Sequence, residues 1–313
     1  MKLTGKNILI AGGNGFIGTN LSLYLRDLGN TVIIVDNYSS SEPKDFFWES
    51  EGITVINHDI SYPFSICDRN IDVIINLACI ASPDKYQAAS FETLDSCYLG
   101  TKNLLNLLNP HGIFLQASTS EIYGDSKVSP QPEEYWGNVN SYGPRSCYDE
   151  GKRVSEALCY EYRDKKNLDV RIMRIFNTYG PWMSSSDGRV ITNFLTSVIK
   201  RSPLVVYGTG SQSRSFMYIS DLLEGIKVLL ETDKYIGPVN LGNPSERSIM
   251  DLARACIDIW GKQEILYKPL PKDDPQRRCP DITRALNLGW LGPQVLLNEG
   301  LLETYKWLCQ RDI

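Results

Sequence analysis

The sequence predicts an α/β protein, in which a doubly wound parallel sheet is followed by a smaller C-terminal α/β lobe. Short, almost wholly apolar runs recur through the first 176 residues, and segments with helical spacing of apolar residues separate them. Continuous apolar strands that alternate with helices are typical of a parallel sheet covered on both faces. After residue 176, Gly, Pro and Ser interrupt the chain and this alternation is lost, which favours a separate lobe.

The predicted strands of the sheet follow one another at the spacing that intervening helices require. They are 7–12, 31–36, 53–57, 72–78, 112–118 and 169–176, and a strand near 237–242 is expected to return to the same sheet. Long helices are predicted over 16–29, 91–109 and 146–167. We therefore predict one domain from residues 1–176 plus the strand near 237–242, and a second lobe from residues 177–236 and 243–313.

Composition and charge exclude several classes of protein. With 42% hydrophobic and 22% charged residues, the 313-residue chain is ordinary for a globular protein. The net charge of −5 and the scattered Lys and Arg residues lack the basic stripe of a nucleic-acid-binding protein. The apolar runs are strand-sized and the N-terminus enters a strand almost at once, so we expect no membrane span, signal peptide or anchor. A cytoplasmic protein is predicted.

The cysteines and histidines limit the chemistry further. The eight cysteines contain no CxxC pair, and in an intracellular chain we expect them to be reduced. His58 and His111 are the only histidines, which argues against a His-based metal site and a Ser-His-Asp triad. We predict no metal, and acid–base chemistry must then use Tyr, Lys, Glu or Asp.

A glycine-rich turn follows the first predicted strand. Residues 12–18, "GGNGFIG", have the pattern G-x-x-G-x-x-G and open a helix, where glycines let a pyrophosphate approach the helix N-terminus. Asp36 ends the second strand eighteen residues beyond Gly18; a carboxylate there accepts hydrogen bonds from ribose and repels a 2′-phosphate. No Arg follows Asp36, so this context predicts a Rossmann-type NAD site, although an ordinary strand–helix turn is the alternative.

The residues predicted to bind NAD lie at the ends of successive strands and on the helix that follows the fifth strand. They are Gly12, Gly15, Phe16, Ile17, Gly18, Asp36, Asn37, Asp59, Ile60, Leu77, Ala78, Ser118, Tyr148 and Lys152.

Candidate catalytic residues lie in "STSEIYG" (118–124) and in "CYDEGK" (147–152). Tyr148 and Lys152 are four residues apart, so on a helix they share one face. To act as a base near neutrality, the tyrosine needs its pKa lowered by about three units, or roughly 4 kcal/mol. A neighbouring ammonium and a positive nicotinamide ring could supply this stabilisation. Glu121 is either part of the site or the cap of a nearby helix or turn.

Longer motifs carry a resemblance that covers nearly the whole chain. They include "AGGNGFIG", "ASTSEIYGD", "YWGNVNSYGPRSCYDEGKR", "RIFNTYGP", "DGRVITNF", "VYGTGSQSRSF" and "DDPQRRCPDI". The sequence resembles the extended short-chain dehydrogenase/reductase superfamily, in its NAD-dependent epimerase/dehydratase branch. It is especially similar to the UDP-glucuronate decarboxylases, also called UDP-xylose synthases.

This resemblance implies a reaction. Tyr148 takes the proton of the sugar 4-OH, Thr119 hydrogen-bonds the same oxygen, and C4 passes a hydride to NAD. The C4 ketone is β to the carboxyl carbon, so CO2 can leave; protonation at C5 and re-reduction at C4 then give UDP-xylose. Arg278 is expected near the reacting carboxylate. Glu121 would orient this carboxylate or a proton-donating water.

The same resemblance implies substrate contacts and some departures. The expected contacts to UDP-glucuronate are Asn177, Val190, Asn193, Tyr207, Gln212, Arg214 and Arg278. The chain departs from the family pattern at Asn76, Ile80, Asp95, Cys97 and Cys279, which bears on substrate preference and rate more than on reaction class.

Other readings remain open at this point. A UDP-sugar 4-epimerase would use the same oxidation without loss of carbon, and a 4,6-dehydratase is disfavoured because Ser120 stands where related dehydratases have an Asp. An NAD-binding sensor without catalysis is the non-enzymatic alternative. The resemblance also implies a homodimer through a four-helix bundle of the helices near 91–108 and 148–165, although their apolar stripes could be buried within the monomer.

Overall fold

The computed structural model describes residues 2–41, 44–66, 70–235, 237–270 and 277–311. Cys67 and the first four residues of the motif "DDPQRRCPDI" lie outside the described residues. In chain order, the strands are β1 (Asn7–Ala11), β2 (Thr31–Asp36), β3 (Thr54–Asn57), β4 (Val73–Asn76), β5 (Ile113–Thr119), β6 (Asp169–Ile175), β7 (Thr178–Tyr179), β8 (Leu204–Tyr207), β9 (Ser213–Ser215), β10 (Met217–Tyr218), β11 (Val239–Leu241), β12 (Glu246–Ser248), β13 (Ile265–Lys268) and β14 (Arg277–Arg278).

The helices connect these strands and cover the faces of the main sheet. They are α1 (Phe16–Asp27), α2 (Asp45–Ser50), α3 (Pro83–Ala88), α4 (Ser90–Asp95), α5 (Thr101–Leu107), α6 (Ser146–Lys166), α7 (Val190–Ile199), α8 (Ile219–Glu231), α9 (Ile249–Trp260), α10 (Thr283–Asn287) and α11 (Leu297–Arg311).

The main sheet has the strand order β11-β6-β5-β4-β1-β2-β3, and its pairings are parallel. This is the doubly wound order 3-2-1-4-5-6 with one further strand at the edge. The prediction of a Rossmann-type α/β fold is therefore confirmed. Strand order reverses between β1 and β4, and ligands in such sheets bind in the crevice beyond the carboxyl ends of the strands at this point.

Apolar side chains on both faces of the sheet explain why the strands could be predicted. Alternate residues of β1 enter two different cores: Ile8 and Ile10 pack toward α1 and α8, whereas Leu9 packs toward α5 and α6. All three side chains are fully buried. Removing such continuous apolar runs from water is the main favourable term in forming the sheet.

The helix predicted over 91–109 contains an irregularity. A π-helical turn over Ser96–Gly100 lies between α4 and α5, and such turns are frequent at functional sites. Beyond β6, short strands form small sheets, β10-β7, β12-β9-β14 and β13-β8, with a separate core beneath α7, α9 and α11. Within the described ranges, none of the helices has the length and apolar character needed to cross a bilayer.

Candidate active site

A cavity of about 1330 Å3 opens at the carboxyl ends of the central strands and continues to the small C-terminal sheets. It is lined by all of the predicted cofactor-binding residues and by all of the predicted substrate-binding residues except Arg278. Its volume exceeds the roughly 300–1,000 Å3 that is typical of a pocket for one small molecule. The space is therefore adequate for two ligands side by side.

The glycine turn forms a cradle that only glycine can build. Gly12 has φ +76°, and a Cβ there would lie 2.8 Å from the backbone Cα of Ala78. A Cβ on Gly18 would lie 2.2 Å from the carbonyl oxygen of Gly12. The turn therefore brings bare backbone to the N-terminus of the twelve-residue helix α1, where backbone N–H groups and the helix dipole favour a phosphate. The residues present fit a dinucleotide.

Asp36 is held at the end of β2 by backbone donors. Its Oδ2 accepts a hydrogen bond from Asn14 N at 3.0 Å and its Oδ1 accepts one from Tyr38 N at 2.9 Å. Burial raises the pKa of the Asp36 carboxyl, although these bonds and the ammonium of Lys44 oppose the rise. Lys44 also donates to Asn14 O at 2.6 Å and to Thr19 Oγ1 at 2.9 Å, which links this carboxylate to the glycine turn.

The other predicted NAD contacts are fixed by local hydrogen bonds. Asp59 Oδ2 accepts from Asn37 Nδ2 at 3.0 Å, which joins the loops after β3 and β2. Ala78 N donates to Asn76 Oδ1 at 3.1 Å, and this bond holds Ala78 against Gly12. The departure at Asn76 is thus accommodated, because its Nδ2 also donates to Gln116 Oε1 at 2.9 Å.

Ser118 lines the cavity, but its hydroxyl is already engaged. Its Oγ donates to the carboxylate of Glu156, which also accepts a hydrogen bond from Arg174 at 2.8 Å. This buried network fixes the end of β5 against α6.

Thr119, Tyr148 and Lys152 meet at the centre of the cavity. Thr119 Oγ1 accepts a hydrogen bond from Glu121 N at 3.2 Å, and the Thr119 hydroxyl lies close enough to Tyr148 to lower the pKa of its phenol. Lys152 Nζ donates to Ala117 O at 3.1 Å and lies 5.9 Å from the ring centroid of Tyr148. Helix α6 thus places its tyrosine and lysine beside the end of β5, as their spacing predicts.

Burial and the neighbouring groups shift the pKa of Tyr148 in opposite directions. Burial raises the pKa of Tyr148 to about 12, although the Lys152 ammonium and the Thr119 hydroxyl lower it. Proton abstraction near neutrality therefore needs a further positive charge in the cavity. A bound nicotinamide ring would carry this charge.

Glu121 is paired with two arginines. Its Oε2 accepts hydrogen bonds from Arg145 Nη2 and, at 2.9 Å, from Arg278 Nη2. Burial alone would raise the pKa of the Glu121 carboxyl, but the guanidinium groups of Arg278 and Arg145 hold it well below its ordinary range. Glu121 is therefore a carboxylate at neutral pH, and its main contacts are cations rather than a helix end.

Arg278 does not line the cavity and lies behind its wall. It is 1% exposed, and Nη1 donates to Gly124 O while Nη2 donates to Glu121. Pairing of β14 with β9 sets it beside Arg214. Arg278 therefore reaches the cavity through Glu121, and its place near the reacting carboxylate stays a prediction.

Arg145 and Tyr86 are site residues that sequence reasoning missed. Arg145 lines the cavity and contacts Glu121; the signal was its place in "PRSCYDEGK", three residues before Tyr148. The ring of Tyr86 stacks on Tyr148 with centroids 5.0 Å apart and an angle of 7° between the rings. No short sequence pattern links residue 86 to residue 148.

Asp149 is a buried carboxyl beside the same arginine. Its Oδ2 lies 3.8 Å from Arg145 Nε, and its Oδ1 has no hydrogen-bond partner in the described part of the chain. Burial, together with the charge of Glu121, raises the pKa of Asp149. The folded protein therefore binds a proton here more tightly than the unfolded chain does.

Asp149→Asn should change the pH dependence of stability. Because the folded pKa of about 7 lies above the unfolded pKa, the wild-type free energy of unfolding should fall as pH rises from about 4 to about 7. The variant should lack this fall and be more stable than the wild type at pH 8, as measured by urea unfolding. Glu161→Gln, on the exposed face of α6, is the control; a parallel pH profile for Asp149→Asn and the wild type would contradict the expectation.

The predicted nucleotide-sugar contacts, apart from Arg278, also line the cavity. Asn193 Nδ2 donates to Gly188 O at 2.8 Å, and Gln212 Nε2 donates to Tyr207 O at 2.9 Å. These bonds shape the wall between α7 and the end of β8. The other predicted contacts there are Asn177, Val190 and Arg214.

The comparisons with known proteins agree with this geometry. A profile of the NAD dependent epimerase/dehydratase family matches residues 8–242. The UDP-glucuronic acid decarboxylase 1 of Xenopus tropicalis is 46% identical over 304 residues, spanning 96% of this chain and 71% of the relative. The UDP-glucuronic acid decarboxylase 2 of Arabidopsis thaliana is 44% identical over 316 residues, spanning 99% and 70%.

Solved structures show the same architecture. The UDP-glucuronic acid 4-epimerase of Bacillus cereus, solved with UDP-glucuronic acid and NAD, has a TM-score of 0.83 and 26% identity, covering 97% of this chain and 99% of that one. The Rossmann topology, the shared cavity and the level of identity lead to one conclusion. This chain belongs to the NAD-dependent epimerase/dehydratase family, within the group of the UDP-glucuronic acid decarboxylases.

Proposed function

We propose that this protein converts UDP-glucuronate to UDP-xylose and CO2 with NAD as its cofactor. The reaction oxidises C4 of the sugar, releases CO2 from the resulting β-keto acid, protonates C5 and reduces C4 again. The identity to decarboxylases over nearly the whole chain supports it. The observation that carries it is a Thr119–Tyr148–Lys152 set that shares its cavity with a glutamate paired to two arginines.

The cofactor is NAD, which when bound would supply a reversible hydride acceptor for C4 of the sugar. The glycine turn and the N-terminus of α1 would hold its pyrophosphate, and Asp36 would accept hydrogen bonds from its adenosine ribose. Lys152, whose Nζ donates to Ala117 O, would lie at the nicotinamide end of the cofactor.

Proton transfer at the sugar 4-OH is assigned to Tyr148. Thr119 is assigned to the same oxygen, because it lines the cavity beside Tyr148 and its hydroxyl lowers the pKa of that tyrosine. The Lys152 ammonium stabilises the phenolate. When the C4 ketone is reduced, Tyr148 returns the proton to O4.

The substrate carboxylate is assigned to the wall formed by Arg145 and Glu121. Arg145 lines the cavity and offers a guanidinium, whose fork geometry suits a carboxylate. Glu121 holds Arg145 in place and orients the water that protonates C5, and Arg278 fixes Glu121 from behind. Ser120 is neutral, so the wall lacks an acid to expel a hydroxyl, which separates this site from a 4,6-dehydratase.

The test is one incubation of purified protein with NAD and UDP-glucuronate labelled with 13C at C6. We expect labelled CO2 together with UDP-xylose, identified by NMR. Formation of the 4-epimer without CO2 would instead identify a UDP-sugar 4-epimerase, and no turnover would favour an NAD-binding sensor.

We propose that the two parts of the chain predicted from the sequence bind different ligands. Residues 1–176 and the strand near 237–242 bind NAD, and residues 177–236 and 243–313 bind the nucleotide sugar. In support, Asn177, Val190, Asn193, Tyr207, Gln212 and Arg214 belong to the second part and line the same cavity as the glycine turn.

Asp36→Asn should weaken NAD binding and relax the preference over NADP. Hydrogen bonds to a charged group contribute about 1.5–3 kcal/mol, so we expect Kd for NAD to rise at least about tenfold. The ratio of the NADP to the NAD dissociation constant should fall, because repulsion of a 2′-phosphate is lost. Asp27→Asn, an exposed carboxylate at the end of α1, is the control; an unchanged ratio in Asp36→Asn would refute the assignment.

The homodimer is also a proposal, and exposed apolar side chains on adjacent helices support it. Phe91 is 79% exposed and Tyr160 is 63% exposed, and Leu94, Tyr98 and Val154 lie partly exposed on the same helical layer. Burying this face against a second copy would form a four-helix bundle. Phe91→Glu should convert a dimer of the 35.3 kDa chain to a monomer in light-scattering measurements. Leu291→Glu, at an exposed apolar residue of the C-terminal region, should remain dimeric; a monomeric wild type would refute the dimer.

A further inference from the structure

Two cysteine thiols are in contact beside the catalytic lysine. Cys79 lies in the loop after β4 and Cys97 lies in the π-helical turn, and their Sγ atoms are 3.5 Å apart in a hydrogen bond. The mechanism proposed above uses neither thiol.

Cys97 is pressed against the helix that carries the catalytic pair. A Cβ placed on Gly151 would lie 3.1 Å from Cys97 Sγ, so a larger residue there would press on this sulfur. The backbone carbonyl of Cys97 also accepts a hydrogen bond from Ser155 Oγ at 2.8 Å. The position of the sulfur is therefore fixed from α6, one residue before Lys152.

The pKa values of the two thiols are shifted in opposite directions. The hydrogen bond from Cys79 and the ammonium of Lys152 lower the pKa of the Cys97 thiol, although burial opposes this. The same hydrogen bond, together with burial, raises the pKa of the Cys79 thiol. The pair therefore holds its first negative charge more readily than two separate buried thiols would, and a thiolate is the form that reacts with peroxides.

Access to the pair is from one side. Cys79 lines the cavity, whereas Cys97 is 2% exposed. A small oxidant that enters the cavity therefore meets Cys79 first, and Cys97 stands directly behind it as the resolving thiol. This arrangement of an accessible and a resolving cysteine is that of thiols which oxidise reversibly to a disulfide.

We propose that Cys79 and Cys97 are an oxidation site, at which hydrogen peroxide forms an intramolecular disulfide that weakens NAD binding. Cys97 takes the proton of the Cys79 thiol along their hydrogen bond, and the Cys79 thiolate formed in this way attacks one oxygen of the peroxide, which gives Cys79 sulfenic acid and hydroxide. The hydroxide removes the proton from Cys97 and leaves as water, which restores the Cys97 thiolate. The Cys97 thiolate then attacks Cys79 Sγ and expels a second hydroxide. Two thiols and one peroxide become one disulfide and two waters, and a dithiol such as dithiothreitol reverses the change.

The distance between the two sulfurs explains why a disulfide should weaken NAD binding. A disulfide requires about 2.05 Å between the sulfurs, so the pair must close by about 1.5 Å from its present separation. Cys79 adjoins Ala78, whose backbone forms one wall of the Gly12 cradle, and Cys97 rests on Gly151 beside Lys152. Closure therefore displaces one or both of the groups that contact the two ends of the cofactor.

The experiment treats the purified chain with hydrogen peroxide and reads out the bond and NAD affinity separately, so that it does not depend on the proposed decarboxylation. We expect peptide mapping by mass spectrometry to find a 79–97 cross-link, and Kd for NAD, measured by calorimetry, to rise at least about tenfold. Dithiothreitol should restore both values.

The variants separate this bond from other oxidation. Cys97→Ser should stop at Cys79 sulfenic acid, trapped by dimedone, and Kd for NAD should then rise less than in the cross-linked wild type. Cys309→Ser, which removes an exposed thiol, should still form the 79–97 cross-link. Cross-linking of Cys79 to Cys147 instead, no cross-link while Cys309 oxidises, or a cross-link with unchanged NAD affinity would each overturn the proposal.

Discussion

Tyr148→Phe should abolish most turnover while NAD remains bound. The substitution removes the phenol hydroxyl, whose pKa Lys152 and Thr119 lower, and leaves the aromatic ring stacked on Tyr86. A positioned acid–base group contributes about 10²–10⁴-fold, so we expect kcat for CO2 release to fall by at least about a hundredfold, or roughly 3 kcal/mol in activation free energy. Kd for NAD, measured by calorimetry, should change little.

A matched control lies on the same helix. Tyr162 is also largely buried on α6, and its hydroxyl donates to Asn106 Oδ1 at 2.8 Å, away from the cavity. Tyr162→Phe makes the same chemical change and should keep kcat, with at most about 1 kcal/mol of stability lost with its hydrogen bond. Full turnover by Tyr148→Phe would show that another group moves the O4 proton.

The parts of the site that sequence predicts are those fixed by short-range rules. Gly12 and Gly18 follow from a turn in which a Cβ has no room, and Tyr148 and Lys152 follow from helical spacing. The main strands were predicted to within about two residues because their side chains are buried on both faces of the sheet.

The sequence does not show which distant residue each charged side chain contacts. Arg278 and Glu121 are 157 residues apart, and they meet because β14 pairs with β9. Without that pairing, Arg278 is expected to face the substrate rather than to lie behind Glu121. The π-helical turn is likewise invisible, because the apolar spacing of 91–109 tolerates one extra residue in a turn.

A second substitution with a large expected effect is at Glu121. Glu121→Gln should destabilise the fold, because two guanidinium groups would remain side by side without their shared carboxylate. Arg145 and Glu121 are mostly buried and Arg278 is almost fully buried, and breaking such a pair by removing one partner costs about 3–5 kcal/mol. We expect a loss of this size in the free energy of urea unfolding at pH 7, together with loss of CO2 release.

The pH dependence of this loss has a definite sign. The folded pKa of Glu121 lies below its unfolded value, so the stability it contributes is present above the unfolded pKa and is lost as pH falls through the folded pKa. The gap in unfolding free energy between the wild type and Glu121→Gln should therefore narrow as pH falls below about 4.

A double variant distinguishes the structural role of Glu121 from its role in the reaction. In Glu121→Gln/Arg278→Met, the most deeply buried cation is replaced by an apolar side chain, so much of the lost stability should return. CO2 release should stay low, because Arg145 is no longer held against the cavity wall by a carboxylate. If the double variant regained both stability and turnover, Glu121 would serve only to neutralise Arg278, and Arg145 alone would suffice to bind the substrate carboxylate.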